Sequence, residues 1–132
     1  MIVLDTHALI WLTTSARKLG RRTNAFIDQA WDAGAIAVSG ISFWEAALLA
    51  AAGRVKLPAV AQWRADRLAD GLRELPLDGE VAIRAAGLGG LPGDPADRFI
   101  VATVLTHGAT LVTADERILG WSGKLQRLDA RL

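Results

Sequence analysis

Ile2-Val3-Leu4-Asp5-Thr6-His7 begins with three apolar residues, two of them β-branched, and then meets an acid. A short apolar run of this kind predicts a strand covered on both faces, as strands are in parallel sheets. Helical periodicity follows from Ala8 to Leu12. The same alternation recurs along the chain. Ala35-Ile36-Ala37-Val38-Ser39, Arg73-Glu74-Leu75, Thr110-Leu111-Val112 and Leu125 to Leu128 read as further strands. Thr23 to Trp31, Ser42 to Ala52, Ala59 to Ala69, Asp78 to Ala86 and Ala96 to Thr106 read as helices, with a helical turn from Asp115 to Leu119. Pro95 stands at a first helical position, where its missing N–H costs nothing. No hairpin signal interrupts the series. The pattern predicts an α/β fold, a parallel sheet with helices on both faces, and one domain over residues 1–132.

Composition narrows the chemistry. The chain has 132 residues, 52% of them hydrophobic and 22% charged, which is enough to bury a core. It has no cysteine, which excludes a disulfide framework and a thiolate metal site. No apolar stretch is long enough to span a bilayer. The start lacks a basic segment before its apolar run and is not expected to act as a signal peptide, so a cytoplasmic protein is expected. The net charge of +1 does not by itself announce a nucleic-acid partner.

In a parallel α/β sheet, ligands bind beyond the carboxyl ends of the strands. Asp5 and Asp115 follow strands there, and Glu45 and Asp97 lie in the first turns of helices at the same edge. Each has an ordinary structural reading. Asp5 and Asp115 can cap helices. Ser42-Phe43-Trp44-Glu45 matches a capping box, in which Glu45 would only return a hydrogen bond to Ser42. Asp94 is the better cap of its helix, leaving Asp97 to the helix dipole. Four such carboxylates at one edge are harder to explain by capping. Two like charges ~4 Å apart cost ~4 kcal/mol at an effective dielectric of ~20. The cluster is tolerable if the acids hold protons or share a cation. Hard oxygen donors without Cys or paired His favour Mg²⁺ or Mn²⁺, ions suited to phosphodiester hydrolysis.

Leu4-Asp5-Thr6-His7, Ile41-Ser42-Phe43-Trp44-Glu45, Asp94-Pro95-Ala96-Asp97-Arg98 and Leu111-Val112-Thr113-Ala114-Asp115 together resemble the four ordered motifs of PIN-domain ribonucleases, above all the VapC-type toxins of bacterial toxin–antitoxin pairs. The intervals between the acids are 40, 52 and 18 residues. The resemblance implies a three-layer α/β/α domain with strand order 3-2-1-4-5. It implies Asp5, Glu45, Asp97 and Asp115 as catalytic and metal-binding residues for Mg²⁺ or Mn²⁺, and endoribonuclease activity by a metal-activated water. It also implies a homodimer, and an antitoxin whose tail lies in an apolar groove near the first helices. One departure concerns the third motif. Many similar sequences carry His and an aromatic residue there, whereas this chain has Leu91-Pro92-Gly93 before Asp94 and a small Ala96.

Several other residues bear on that reading. His7 follows Asp5 closely and can touch the site, although a structural role in the first helical turn is the favoured reading, while His107 fits a helix C-terminus. Arg98 suits either a phosphate contact or an internal ion pair. The run Gly87 to Gly93 fails the dinucleotide pattern, so no nucleotide cofactor is expected. Trp11, Trp31, Trp44 and Trp63 fall in helices and are expected in the core. Trp11 with Ile10 and Leu12, and Trp31 with Phe26 and Ile27, are expected to leave the apolar groove. Two rival functions remain: an Asp5-based phosphotransfer or phosphatase domain, and a catalytically silent RNA- or partner-binding protein. The first wants a second Asp where His7 stands and a late Lys, for which only Lys124 is available. The second would be marked by loss of an acid, and all four are present.

Overall fold

A computed structural model describes residues 1–91 and 94–132. Pro92 and Gly93, at the end of the glycine-rich run and in the departing part of the third motif, lie outside the described residues. The strands are β1 (Ile2–Leu4), β2 (Ile36–Ser39), β3 (Arg73–Leu75), β4 (Thr110–Thr113) and β5 (Arg127–Asp129). The helices are α1 (Thr6–Thr14), α2 (Arg21–Asp32), α3 (Ile41–Ala51), α4 (Val60–Ala69), α5 (Gly79–Ala86), α6 (Pro95–Thr106) and the short α7 (Glu116–Leu119). All strand pairs are parallel, in the order β3-β2-β1-β4-β5. No helix among the described residues is long and apolar enough to cross a membrane.

Strand alternation divides the core into two layers. Val3, Ala37 and Leu111 lie in register and face α5 and α6, where Val81, Ile100, Val101 and Val104 cover them. Leu4, Val38 and Val112 face the other way, under Leu9 of α1, Ile27 of α2, Phe43 of α3 and Trp63 of α4. Burying each such side chain stabilises the fold by ~1.5–3 kcal/mol. Truncating Ile100, fully buried in the first layer, to Ala would cost ~2–5 kcal/mol.

Local details depart from sequence expectation in places with clear causes. Helix α1 starts at Thr6 rather than Ala8, because the Asp5 carboxylate caps it by accepting from the Ala8 amide at 2.8 Å. The turn Ala16–Lys18 is a 3-10 segment with no apolar period to announce it. Strand β5 lies two residues later than Leu125, since pairing of Leu111 with Arg127 sets its register at a half-exposed edge. The Ser42 capping box does not form. Gly40 precedes α3, and Ser42 sits inside it, fully buried, accepting a hydrogen bond from the Thr6 hydroxyl at 3.0 Å.

Candidate active site

The strand order puts β1 beside β4, so Asp5 and Asp115 leave neighbouring strands at the same edge. Thr113, the last residue of β4, ties them together. Its hydroxyl donates to Asp5 Oδ2 at 2.5 Å and accepts from the Asp115 amide at 3.0 Å. The Thr6–Ser42 bond joins the starts of α1 and α3, and Glu45 lies one turn beyond Ser42. Asp94 caps α6 by accepting from the Ala96 amide at 2.9 Å, which sets Asp97 in its first turn. Asp5, Glu45, Asp97 and Asp115 all line one open pocket of about 270 Å³, with Thr6, His7, Trp11, Asp94, Ala114 and Arg117.

Capping accounts for some of these acids and not for others. Asp5 does cap α1, and Asp115 caps α7 by accepting from the Arg117 and Ile118 amides. Neither cap prevents a place in the pocket. Glu45, with the capping box absent, has no hydrogen-bond or ion-pair partner among the described residues. Asp94 was expected to be a cap alone. It is a cap and also a fifth carboxylate of the pocket.

The electrostatics follow from this crowding. Burial pushes the Asp5 carboxyl up to about 6, against the opposing pull of the Thr113 and Ala8 hydrogen bonds. Asp97 is pushed up to about 7, first by burial and then by the charges of Asp94, Asp115, Glu45 and Asp5. Burial acts on Asp115 in the same sense, but the Arg117 side chain and the cap hydrogen bonds outweigh it and hold Asp115 below the usual range. Among the described residues, Arg117 is the one Lys or Arg that lines the pocket. Its guanidinium lies 3.4 Å from Asp97 Oδ2 and 3.2 Å from Asp115 Oδ2, bridging the two. Sequence reasoning missed Arg117; its spacing from Asp115, two residues into a helical turn, was the available signal.

The donor set suits a hard divalent ion. Among the described residues no three carboxylate or imidazole groups stand close enough to close directly on one ion. A cage of protein ligands is therefore not preformed, and Mg²⁺ does not need one. It retains several waters and takes one or two carboxylates directly. A pocket lined by five carboxylates, two of them with raised pKa values, fits that mode of binding.

Other expectations land elsewhere. Arg98 forms no ion pair among the described residues; its guanidinium donates to the carbonyls of Leu91 and Leu88 at 2.7 and 2.9 Å. His107 sits at the end of α6 with Nδ1 2.9 Å from the Thr103 carbonyl oxygen. His7 is exposed at the pocket mouth, its ring edge-on to Trp11. Trp11 is half-buried in the pocket wall. Trp31 is half-buried against the same core layer as Trp11, its indole N–H donating to the Asp70 carbonyl at 2.9 Å. Trp63 is buried as expected, but Trp44 is not. Trp44 and Leu48, one turn apart on α3, are 51% and 50% exposed, because the covered face of α3 carries Phe43 and Ala46 instead.

Residues 2–120 match the family model described as the PIN domain. The chain belongs to the PIN domain family. A relative, Ribonuclease VapC22 of Mycobacterium tuberculosis (strain ATCC 25618 / H37Rv), is 36% identical over 119 residues, covering 89% of this chain and 88% of that protein. The fold is shared with VapBC2 from Rickettsia felis, solved bound to a DNA fragment from their promoter. That match has a TM-score of 0.70 and 19% identity, and covers 98% of this chain and 100% of the other. DNA-bound VapBC from Salmonella typhimurium also matches at a TM-score of 0.70, with 18% identity over 97% and 96% of the two chains.

Proposed function

We propose that this PIN domain is a Mg²⁺- or Mn²⁺-dependent endoribonuclease, the toxin half of a toxin–antitoxin pair acting in the cytoplasm. The observation that carries the reading is Glu45: a carboxylate turned into an acid-lined pocket, with no cap or ion pair among the described residues to account for it. The name and 36% identity of Ribonuclease VapC22 support the substrate class. The complexes formed by the structural neighbours support an antitoxin partner, and a homodimer is the proposed assembly.

Asp5, Glu45 and Asp97 are the proposed metal ligands, directly or through water, and Asp115 completes the site. A divalent ion there would supply an activated water and offset charge on the phosphorus oxygens. The chain's own part is to hold that position. Thr113 fixes Asp5 and the Asp115 backbone, and the Thr6–Ser42 bond fixes α3 and with it Glu45. Arg117 bridges Asp97 and Asp115, and its exposed guanidinium would be placed to meet a substrate phosphate at that edge.

The phosphotransfer alternative fares poorly. Both Asp5 oxygens accept hydrogen bonds, and Lys124 is not among the pocket residues. Glu45→Gln tests the reading. Cleavage of single-stranded RNA in Mg²⁺ should fall by orders of magnitude while the melting temperature of the metal-free protein does not fall. Undiminished cleavage would remove Glu45, and the proposal with it.

A further inference from the structure

Beside the acidic pocket lies a second cleft, of about 350 Å³, with a different character. Its wall includes His7 and Trp11, which it shares with the acidic pocket, and then Lys18, Arg54 and Lys56. Among the described residues, no acidic side chain lines it. The three cations are exposed, and none forms a salt bridge among the described residues, whereas Arg64, Arg67, Arg117 and Arg131 all do.

The local fold holds the cations there. Gly53 takes a φ of 71° and turns the chain sharply out of α3, a conformation that favours glycine. In the segment that follows, Val55 and Leu57 are half-buried and pack against the second core layer. Arg54 and Lys56, alternating with them, remain outside. The Arg54 amide donates to the Leu49 carbonyl at 2.9 Å and fixes the turn. From the other wall, the Lys18 ammonium lies 5.9 Å from the centre of the Trp11 ring. Three unpaired cations thus converge at the end of a pocket whose own lining is strongly acidic.

We infer that this cleft is a phosphate-backbone subsite, which carries the single-stranded RNA leading away from the scissile bond on Lys18, Arg54 and Lys56. The inference rests on the ribonuclease reading and adds the path of the strand. An acidic centre repels a polyanion until metal is bound, so affinity for the chain has to come from outside that centre. A contiguous basic cleft meets that need and leaves the metal site anionic.

The test uses the Asp97→Asn protein in Mg²⁺, so that RNA is not consumed, and the same protein carrying Lys18→Gln, Arg54→Gln and Lys56→Gln. Binding of fluorescein-labelled single-stranded RNA of mixed sequence is followed by anisotropy across a salt series, with wild-type cleavage measured in parallel. The three exposed substitutions leave the core intact, and matching melting temperatures check this. Three lost phosphate contacts should weaken binding about ten- to a hundred-fold near physiological salt and flatten the log–log salt slope by about 2. Equal affinity and slope in the two proteins overturn the inference, even where wild type cleaves RNA; loss of antitoxin binding by the same variant would then assign the cleft to a protein partner. A lost slope without wild-type cleavage would keep the subsite and defeat the ribonuclease reading. No RNA binding by either protein overturns both.

Discussion

Replacing Asp97 by Asn keeps the side chain's shape and removes one charge from the pocket, and the consequences can be worked from the structure. A carboxyl pushed from 3.8 to about 7 is held ionised at pH 8 against about 4 kcal/mol. The side chain is 14% exposed beside an exposed Arg117, and solvent screening reduces that to ~2 kcal/mol. Loss of the favourable dipole interaction in the first turn of α6 takes back ~0.3–1 kcal/mol. Without metal at pH 8, Asp97→Asn should therefore be more stable by ~1 kcal/mol, about 4 °C in melting temperature for a domain of this size. The sign follows from linkage. The folded state binds the Asp97 proton more tightly than the unfolded state, so the wild-type penalty is full above pH 7 and fades as pH falls toward 4. The advantage of Asp97→Asn should fade with it. In saturating Mn²⁺ the order should reverse, because only wild type retains the full ligand set, and RNA cleavage should drop by orders of magnitude. Thermal melts in chelator at pH 8 and pH 5, and a cleavage assay in metal, read all of this. Asp78→Asn is the control, a cap of α5 outside the pocket whose role Asn fills about as well. A metal-free Asp97→Asn protein that melts lower at pH 8 and cleaves at the wild-type rate would show Asp97 to be a helix-end residue and nothing more.

Three further sets of substitutions test the same geometry. Arg117→Ala removes the cation that bridges Asp97 and Asp115, so Mn²⁺ should raise the melting temperature at a midpoint several-fold lower than in wild type; an unchanged or higher midpoint counts against competition between Arg117 and metal. Thr113→Val strips Asp5 Oδ2 of its donor and the Asp115 amide of its acceptor, at a cost of ~1–3 kcal/mol by denaturant unfolding. Because that hydrogen bond holds the Asp5 pKa down, the acid limb of the cleavage profile should move to higher pH in Thr113→Val and return in Thr113→Ser. Trp44→Ser with Leu48→Ser should reduce hydrophobic-dye binding by the isolated chain, since those two side chains form the exposed apolar stripe of α3; unaltered dye binding would place the sticky surface elsewhere.

Most of the architecture could be read in the sequence because parallel strands are short apolar runs, and the helices between them are bounded by Asp, Pro and Gly. The convergence of Asp5, Glu45, Asp97 and Asp115 could be read because strand ends and helix starts share one edge in this fold. What escaped was set by side-chain direction. Ser42 matched a capping box in spacing, but the Thr6 hydroxyl needed an acceptor and the helix began one residue earlier, at Ile41. Asp94 could be recognised as a cap but not as a pocket carboxylate, since capping says nothing about what lies across the turn. Trp44 and Leu48 stand in an almost wholly apolar helix, where no period distinguishes the covered face from the open one. Arg98 and Arg117 look alike in sequence, one beside an acid and one two residues beyond. One donates to loop carbonyls and the other faces the acids, a difference decided by tertiary contacts alone.

The most direct test of the central claim is a divalent-metal titration in which melting temperature and RNA cleavage are measured on the same protein. If the acid edge is the metal site of a ribonuclease, both should rise with one midpoint. At ~100 times the dissociation constant, Mg²⁺ or Mn²⁺ should add ~2.7 kcal/mol of stability, roughly 10 °C, and chelation should abolish both effects. Cleavage that persists in chelator, or a melting temperature that no concentration of either ion moves, would contradict it.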